Sequence, residues 1–118
     1  MHRDWKELSS QVTVAPQIRP EDVPQIAAAG FKTVMCNRPD GEEAGQPDWD
    51  DIVEACARNG LEARYVPQAD RSPTDYAING FDKAMRETDG KLFAFCRTGT
   101  RCGLIWDRVM ERRAQGAA

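Results

Sequence analysis

Residues Leu92-Phe93-Ala94-Phe95 form a run that is apolar at every position and only four residues long. A strand with one face in water alternates apolar and polar side chains, so a short run without alternation fits a strand covered on both faces, as in the middle of a parallel sheet. Parallel neighbours cannot be joined by a tight turn; each pair needs a crossover, usually a helix. The rest of the chain therefore has to supply strands and helices in turn.

It does. Gln11 to Ala15, rich in β-branched residues, is a first strand that Pro16 stops. Pro20-Glu21-Asp22 places proline and acids in a first helical turn, Val23, Ile26 and Ala27 follow at i, i+3 and i+4, and Gly30 ends that helix. Phe31 to Cys36 reads as a second strand and Asn37 to Pro47 as a polar, turn-rich loop. Asp48 to Asp51 caps a second helix with Ile52, Val53, Ala55 and Cys56 as its apolar positions and Asn59-Gly60 as its stop. Leu61 to Val66 is a third strand and Pro67 to Pro73 a loop; Thr74 then caps a helix to about Glu87, with Tyr76, Ile78, Phe81 and Met85 expected to face inward. Asp89-Gly90 leads into the apolar strand. From about Cys102 to Arg113, Leu104, Ile105, Val109 and Met110 make a closing amphipathic helix, with Gln115 to Ala118 as a tail. The expected fold class is α/β, a parallel sheet flanked by helices, in a single domain over residues 1–118.

Charge and cysteine usage narrow the function. Sixteen Lys and Arg against 19 Asp and Glu give a formal charge of -3, without the basic footprint that nucleic acid requires, and no apolar run approaches the length of a membrane span. Neither nucleic acid nor a membrane is an expected partner. The opening MHRDWKELSS lacks the apolar core of a secretory signal, which makes the cytoplasm the expected location. There Cys36, Cys56, Cys96 and Cys102 are expected to be reduced thiols. They contain no C-x-x-C pair and the only histidine is His2, so no metal and no other cofactor is expected. Trp49, Tyr65 and Trp106 read as packing residues, and Cys56 as core.

Ligands of parallel sheets gather beyond the carboxyl ends of the strands, where the loops opening at Asn37, Pro67 and Cys96 emerge. The last of these reads Cys96-Arg97-Thr98-Gly99-Thr100-Arg101-Cys102-Gly103. A cysteine that closes a buried strand and faces loop amides and a helix N-terminus is held as a thiolate. Gly99 permits the sharp curvature, and Arg101 offers a two-pronged donor for an oxyanion. The expected result is an anion cradle with a nucleophile at its base. Cys96 and Arg101 are the candidate catalytic pair; Arg97, Thr98, Gly99, Thr100 and Cys102 are candidate substrate-binding residues.

A cysteine and an arginine spaced in this way, after a buried strand and before a helix, resemble the active-site loops of rhodanese-type sulfurtransferases and of cysteine-dependent protein tyrosine phosphatases. The phosphatase signature has five residues between the two; this chain has four, Arg97 to Thr100, so CRTGTR resembles the rhodanese loop. Three longer stretches, GFKTVMCNRPDGEEAGQP at 30–47, NGLEARYVP at 59–67 and FCRTGTRCGLIW at 95–106, resemble the small bacterial domain of beta-lactamase hydrolase-like proteins, described both as phosphatase-like and as a sulfur transferase. That resemblance implies a tyrosine-phosphatase-like fold carrying a rhodanese-length loop. Cys102 departs from the phosphatase pattern, which commonly has serine or threonine after the arginine.

The leading expectation is a sulfurtransferase that carries sulfur as a persulfide on Cys96. Its partners are a small anionic sulfur donor and, from the resemblance, a persulfide dioxygenase or another sulfur acceptor protein. The alternatives are a phosphatase-like hydrolase that takes a phosphoester through a cysteinyl-phosphate, and a thiol-based sulfur-binding or sensing module. For the hydrolase, Asp70, on the loop after the third strand, stands where a phosphatase keeps its general acid, although loop aspartates are common. Cys36 is the candidate resolving thiol, ahead of Cys102, because it closes the strand expected beside that of Cys96. Arg38-Pro39-Asp40-Gly41 has the composition of a plain turn, and that reading stands ahead of one in which Asn37, Arg38 and Asp40 hold the cradle's loop.

Overall fold

The computed structural model describes residues 4–116. His2 and the last two residues of the expected tail lie outside them. An additional two-residue strand, β1 (Lys6–Glu7), comes first; the elements after it follow the predicted alternation: β2 (Val12–Ala15), α1 (Val23–Ala28), β3 (Phe31–Cys36), α2 (Trp49–Arg58), β4 (Glu62–Tyr65), α3 (Asp75–Glu87), β5 (Lys91–Phe95) and α4 (Thr100–Gln115). Pro20–Asp22 forms a 3-10 turn instead of the first turn of α1, and Gln115 belongs to α4 and not to a tail.

The five strands lie in the order β1-β2-β5-β3-β4. All pairs are parallel except β1 with β2. β5 is central, and its residues 92–95 are wholly buried. Leu92 and Ala94 face one core with Val12, Val14, Ile78, Phe81, Met85, Ile105 and Val109 from β2, α3 and α4. Phe93 and Phe95 face the other, built with Val23, Ile26, Phe31, Val34, Ile52 and Cys56 from α1, β3 and α2. On this second side Phe93 sits edge-on to Phe31, with ring centroids 5.3 Å apart, and to Trp5 at 4.9 Å.

Helix faces match expectation except at their margins. Tyr76 is 64% exposed, and Val53 and Met110 also reach solvent, because each lies off the stripe that its helix turns to the sheet. At Gly80, α3 packs tightly on Val66, just after β4: a Cβ there would lie 2.8 Å from Val66 Cγ1. Thr74 caps α3 as expected, its Oγ1 accepting from the Ala77 amide at 3.1 Å. Asp48 makes no such side-chain cap for α2; Asp40 supplies it from the preceding loop, its Oδ1 accepting from the Trp49 amide at 2.9 Å.

Register fixes where function can sit. Ala15 and Cys36 both pair with Phe95, and Cys36 pairs with Tyr65. Four strands therefore end at one level, and the loops after Ala15, Cys36, Tyr65 and Phe95 leave from the same edge.

Candidate active site

β5 delivers Cys96 to this edge, where it is completely buried. Its amide donates to the Ala15 carbonyl at 3.3 Å, and the next carbonyl, of Arg97, accepts from the Gln17 amide at 3.2 Å, so the loop after β2 holds the start of the cradle. The chain then turns at Gly99, whose φ of +90° lies in the left-handed region. That turn aims the Gly99 amide at Cys96 Sγ, 3.1 Å away. α4 starts at Thr100 and adds its positive end.

These surroundings hold the Cys96 thiol at about 5, far below its ordinary 9.0. The largest cause is a hydrogen bond from the Cys102 thiol, followed by the amides of Cys102, Thr98 and Arg101, and together they outweigh the opposing effect of burial. Cys102 itself is fully buried and its pKa is raised well above the ordinary value, by desolvation and by the neighbouring Cys96. It therefore stays a thiol and donates where phosphatases place a hydroxyl.

Arg101 is buried and crosses the mouth of the cradle, within hydrogen-bonding reach of Cys96. Its Nη1 donates to Glu42 Oε2 at 2.7 Å and Nη2 to Glu42 Oε1 at 2.8 Å. Nη1 also donates to the carbonyls of Gln68 at 2.7 Å and Ala69 at 3.4 Å. One guanidinium thus ties together the loops after β3, β4 and β5. The fork, with help from Arg38, lowers the Glu42 carboxyl to about 2.

Residues 37–47 are more than a turn. Arg38, only 3% exposed, donates to Glu42 Oε1 at 2.8 Å, Gln17 Oε1 at 3.1 Å and Glu43 Oε1 at 2.6 Å. Asn37 is wholly buried; its amide donates to the Phe95 carbonyl and its Nδ2 to the Val66 carbonyl at 2.8 Å. Asp40 donates its amide to the Tyr65 hydroxyl at 3.0 Å, and Tyr65 stacks on Trp49 with ring centroids 5.7 Å apart, so both rings pack as expected. The composition of residues 38–41 is that of a turn, but their bonds hold the cradle's outer wall.

The structure gathers Cys96, Gly99, Arg101 and Cys102, with the amides of Thr98 and Arg101, around one sulfur. The side chains of Arg97, Thr98 and Thr100 stand at the exposed rim: Arg97 Nε donates to Glu43 at 3.1 Å, and the two threonine hydroxyls are 3.0 Å apart. Asp70 is exposed on the loop that Arg101 holds, and its Oδ1 accepts from the Ser72 amide at 2.8 Å. Cys36, the candidate resolving thiol, is near enough to Cys96 and Cys102 to interact with both electrostatically. It packs with Phe95 in the core on the α1 and α2 side, whereas Cys96 and Cys102 belong to the other core. The pleat causes this, since successive side chains point to opposite faces and Cys36 pairs with Phe95, not Cys96. Its thiol donates to the Arg38 carbonyl at 3.0 Å and is pushed up to about 12, chiefly by burial.

Glu42 and Glu43 were not singled out as site residues by the sequence reading. The available signal was charge: two adjacent acids on a loop at the same sheet edge as an arginine-rich cradle. Among the described residues, no group of three or more His, Cys, Asp or Glu side chains is placed to hold a metal ion.

The sequence model of the phosphatase-like domain of beta-lactamase hydrolase-like proteins matches residues 4–111. The chain belongs to that family. The beta-lactamase hydrolase-like protein of Agrobacterium fabrum is 35% identical over 94 residues, which cover 80% of this chain and 22% of the relative. The phosphatase-like domain described here thus spans less than a quarter of that protein. A crystal structure from Neisseria meningitidis, assigned only provisionally as a phosphatase, superposes with a TM-score of 0.78 at 33% identity, over 95% of this chain and 87% of the other. P. aeruginosa TpbA, solved as a Cys→Ser variant in complex with phosphotyrosine, shares the fold with a TM-score of 0.64 at 17% identity, over 96% of this chain and 65% of that one. The family is one of phosphatase-like domains, and it favours the phosphatase-type expectation over the sulfurtransferase one drawn from loop length.

Proposed function

We propose that the chain is a cysteine-dependent, phosphatase-like hydrolase of small phosphoesters, with Cys96 as its nucleophile. The observation that carries this reading is the Gly99 amide 3.1 Å from a Cys96 sulfur whose pKa is lowered to about 5. At neutral pH the sulfur is a thiolate facing a ring of N–H donors, the arrangement that phosphoryl transfer requires. The thiolate attacks phosphorus, the P–O ester bond breaks, and the leaving alkoxide takes a proton from the Asp70 carboxyl. Water then attacks the cysteinyl-phosphate and gives a proton to the Asp70 carboxylate, the P–S bond breaks, and the thiolate and the Asp70 acid are restored. Arg101 and the loop amides neutralise the equatorial oxygens throughout. Asp70 follows directly on the two carbonyls that Arg101 holds, and as the acid it turns from the Ser72 amide toward the leaving group.

Sulfur transfer is the second reading, favoured by the four-residue spacing between Cys96 and Arg101. There the thiolate attacks a sulfane sulfur, the donor's S–S bond breaks and releases an anion such as sulfite, and the outer sulfur of the Cys96 persulfide passes to an acceptor. A persulfide dioxygenase or another acceptor protein would take it, and no proton from Asp70 is needed. A non-catalytic sulfur sensor would stop at the persulfide.

Parallel assays separate these readings. The hydrolase releases phosphate steadily from an aryl phosphate, loses all activity in Cys96→Ser and slows in Asp70→Asn. Thiosulfate turnover without phosphate release, indifferent to Asp70→Asn, would establish the second reading in its place.

A further inference from the structure

A groove of about 530 Å³ lies beside the cradle between the loops after β2, β3 and β5. Arg19, Arg38 and Arg97 line it against a single acid, Glu43, so its lining has a positive excess in a chain whose net charge is -3. We propose that this groove is a second anion subsite, and that the preferred substrate carries a carboxylate or another acidic group beyond the phosphoryl group held at Cys96. The inference rests on the reading of Cys96 as the phosphoryl acceptor and adds the substrate class.

Three features support it. The first is position: Arg97 follows Cys96 directly, and its carbonyl is bonded to the Gln17 amide, so one loop forms the wall of both the cradle and the groove. The second is rigidity. The Arg38 guanidinium is 3% exposed and fixed by Gln17, Glu42 and Glu43, which makes it a preset donor platform and not a mobile surface side chain.

The third is the behaviour of Glu43. A single oxygen, Oε1, accepts from Arg38 Nη2 at 2.6 Å and from Arg97 Nε at 3.1 Å. That oxygen marks where an anionic oxygen sits between two guanidiniums. Glu43 is itself half-exposed at the rim, with a side chain 52% accessible, so a substrate carboxylate can displace it without opening the core. Arg19 also lines the groove, is exposed and makes no ion pair among the described residues, so its guanidinium is available to the same group.

The test uses binding, so it does not depend on turnover. Protection of Cys96 from iodoacetamide is titrated with methylphosphonate and with phosphonoacetate, 3-phosphonopropionate and 4-phosphonobutyrate, which add a carboxylate at increasing reach. At least one carboxyphosphonate should protect about tenfold more tightly than methylphosphonate, the scale of a charge-assisted pair. Arg19→Ala, which removes no ion pair among the described residues, should bring that ratio toward one. Glu43→Gln should raise it. Equal protection by all four probes, or a ratio unchanged in Arg19→Ala, overturns the subsite. If methylphosphonate gives no protection, the phosphoryl reading of the cradle fails separately; calorimetric titration of the carboxyphosphonates then decides the groove, with binding lost in Arg19→Ala supporting it and no binding overturning it.

Discussion

Glu42 grips Arg101 through both carboxylate oxygens, at 2.7 and 2.8 Å, and shares Oε1 with Arg38 at 2.8 Å. The site's anion clamp is therefore held in shape by a residue on a different loop. With Nη1 engaged by Glu42 and the Gln68 and Ala69 carbonyls and one Nη2 hydrogen by Glu42, the guanidinium is fixed with Nε and the second Nη2 hydrogen left over, which lowers the ordering cost when substrate arrives.

Glu42→Ala should consequently harm both stability and function. It leaves the largely buried Arg101 without its carboxylate and Arg38 with Glu43 alone, a loss of about 3 kcal/mol for a mostly buried pair, measurable as a lower urea midpoint with unchanged slope. Glu42→Gln should retain part of the geometry and cost less. The pH dependence has a definite sign: the folded-state pKa is lowered from 4.5 to about 2, so the pair's contribution is complete above about 4.5 and disappears as pH falls toward about 2. Acid unfolding of Glu42→Gln should lack that component. An acid limb identical to the parent's would refute the assignment.

Cys96 should be the fastest thiol to alkylate, with a rate that rises through about pH 5 and then levels off. Because its pKa is lowered on folding, the thiolate contributes stability that is fully present above about 9 and is lost as pH falls toward about 5. The hydrogen bond from Cys102 is the largest contributor to the low value. Cys102→Ala should therefore move the alkylation midpoint upward, and Cys102→Ser, which keeps a donor, should move it less. An unmoved midpoint in Cys102→Ala would show that the amides alone suffice.

Gly99→Ala tests the backbone of the cradle. At φ +90° an L side chain costs roughly 1–2 kcal/mol, while the new Cβ would stand at ordinary contact distance, 3.5 Å, from the Ala15 backbone. Space is adequate and conformation is not. Relief of that strain would turn the Gly99 amide away from Cys96 Sγ, so this variant should lose most of its activity and show a raised Cys96 pKa, with only a modest drop in Tm. Parent-like activity would mean that the turn tolerates a side chain.

Much of this architecture is legible in the sequence because its signals are local. The unbroken apolar run at 92–95 specifies a doubly covered strand, Thr74 marks where α3 begins, and Gly99 marks the sharp turn of the cradle. β1 is not legible, since Lys6 and Glu7 are exposed polar residues and pair with β2 only through backbone. The wall of the site is hidden for a different reason. Arg38, Glu42 and Gln17 acquire their roles by meeting Arg101 and one another across the sheet edge, and a Pro-Asp-Gly turn reads the same whether or not its flanking arginine is buried. The side of the sheet that Cys36 takes is also hidden in the sequence: the pattern places a strand end beside Cys96, and pairing with Phe95 turns the thiol toward the opposite core.

From that placement we expect Cys102, ahead of Cys36, to react with an oxidised Cys96. Peroxide converts the Cys96 thiolate to a sulfenic acid; attack by the Cys102 sulfur then breaks the S–O bond, releases water with the thiol proton, and forms a disulfide. Cys102 already hydrogen-bonds Cys96, and the two sulfurs share one core. Cys36 would have to leave the other core and its bond to the Arg38 carbonyl. Mild peroxide followed by denaturing alkylation and peptide mapping should therefore yield a Cys96–Cys102 linkage, two hydrogens lighter, with Cys36 and Cys56 alkylated as free thiols. In Cys102→Ser, Cys96 should instead proceed to the sulfinic acid, and thiol reductant should restore activity to the parent but not to this variant. A Cys36–Cys96 linkage in the map would reverse the argument, because it would require the end of β3 to turn its side chain through the sheet.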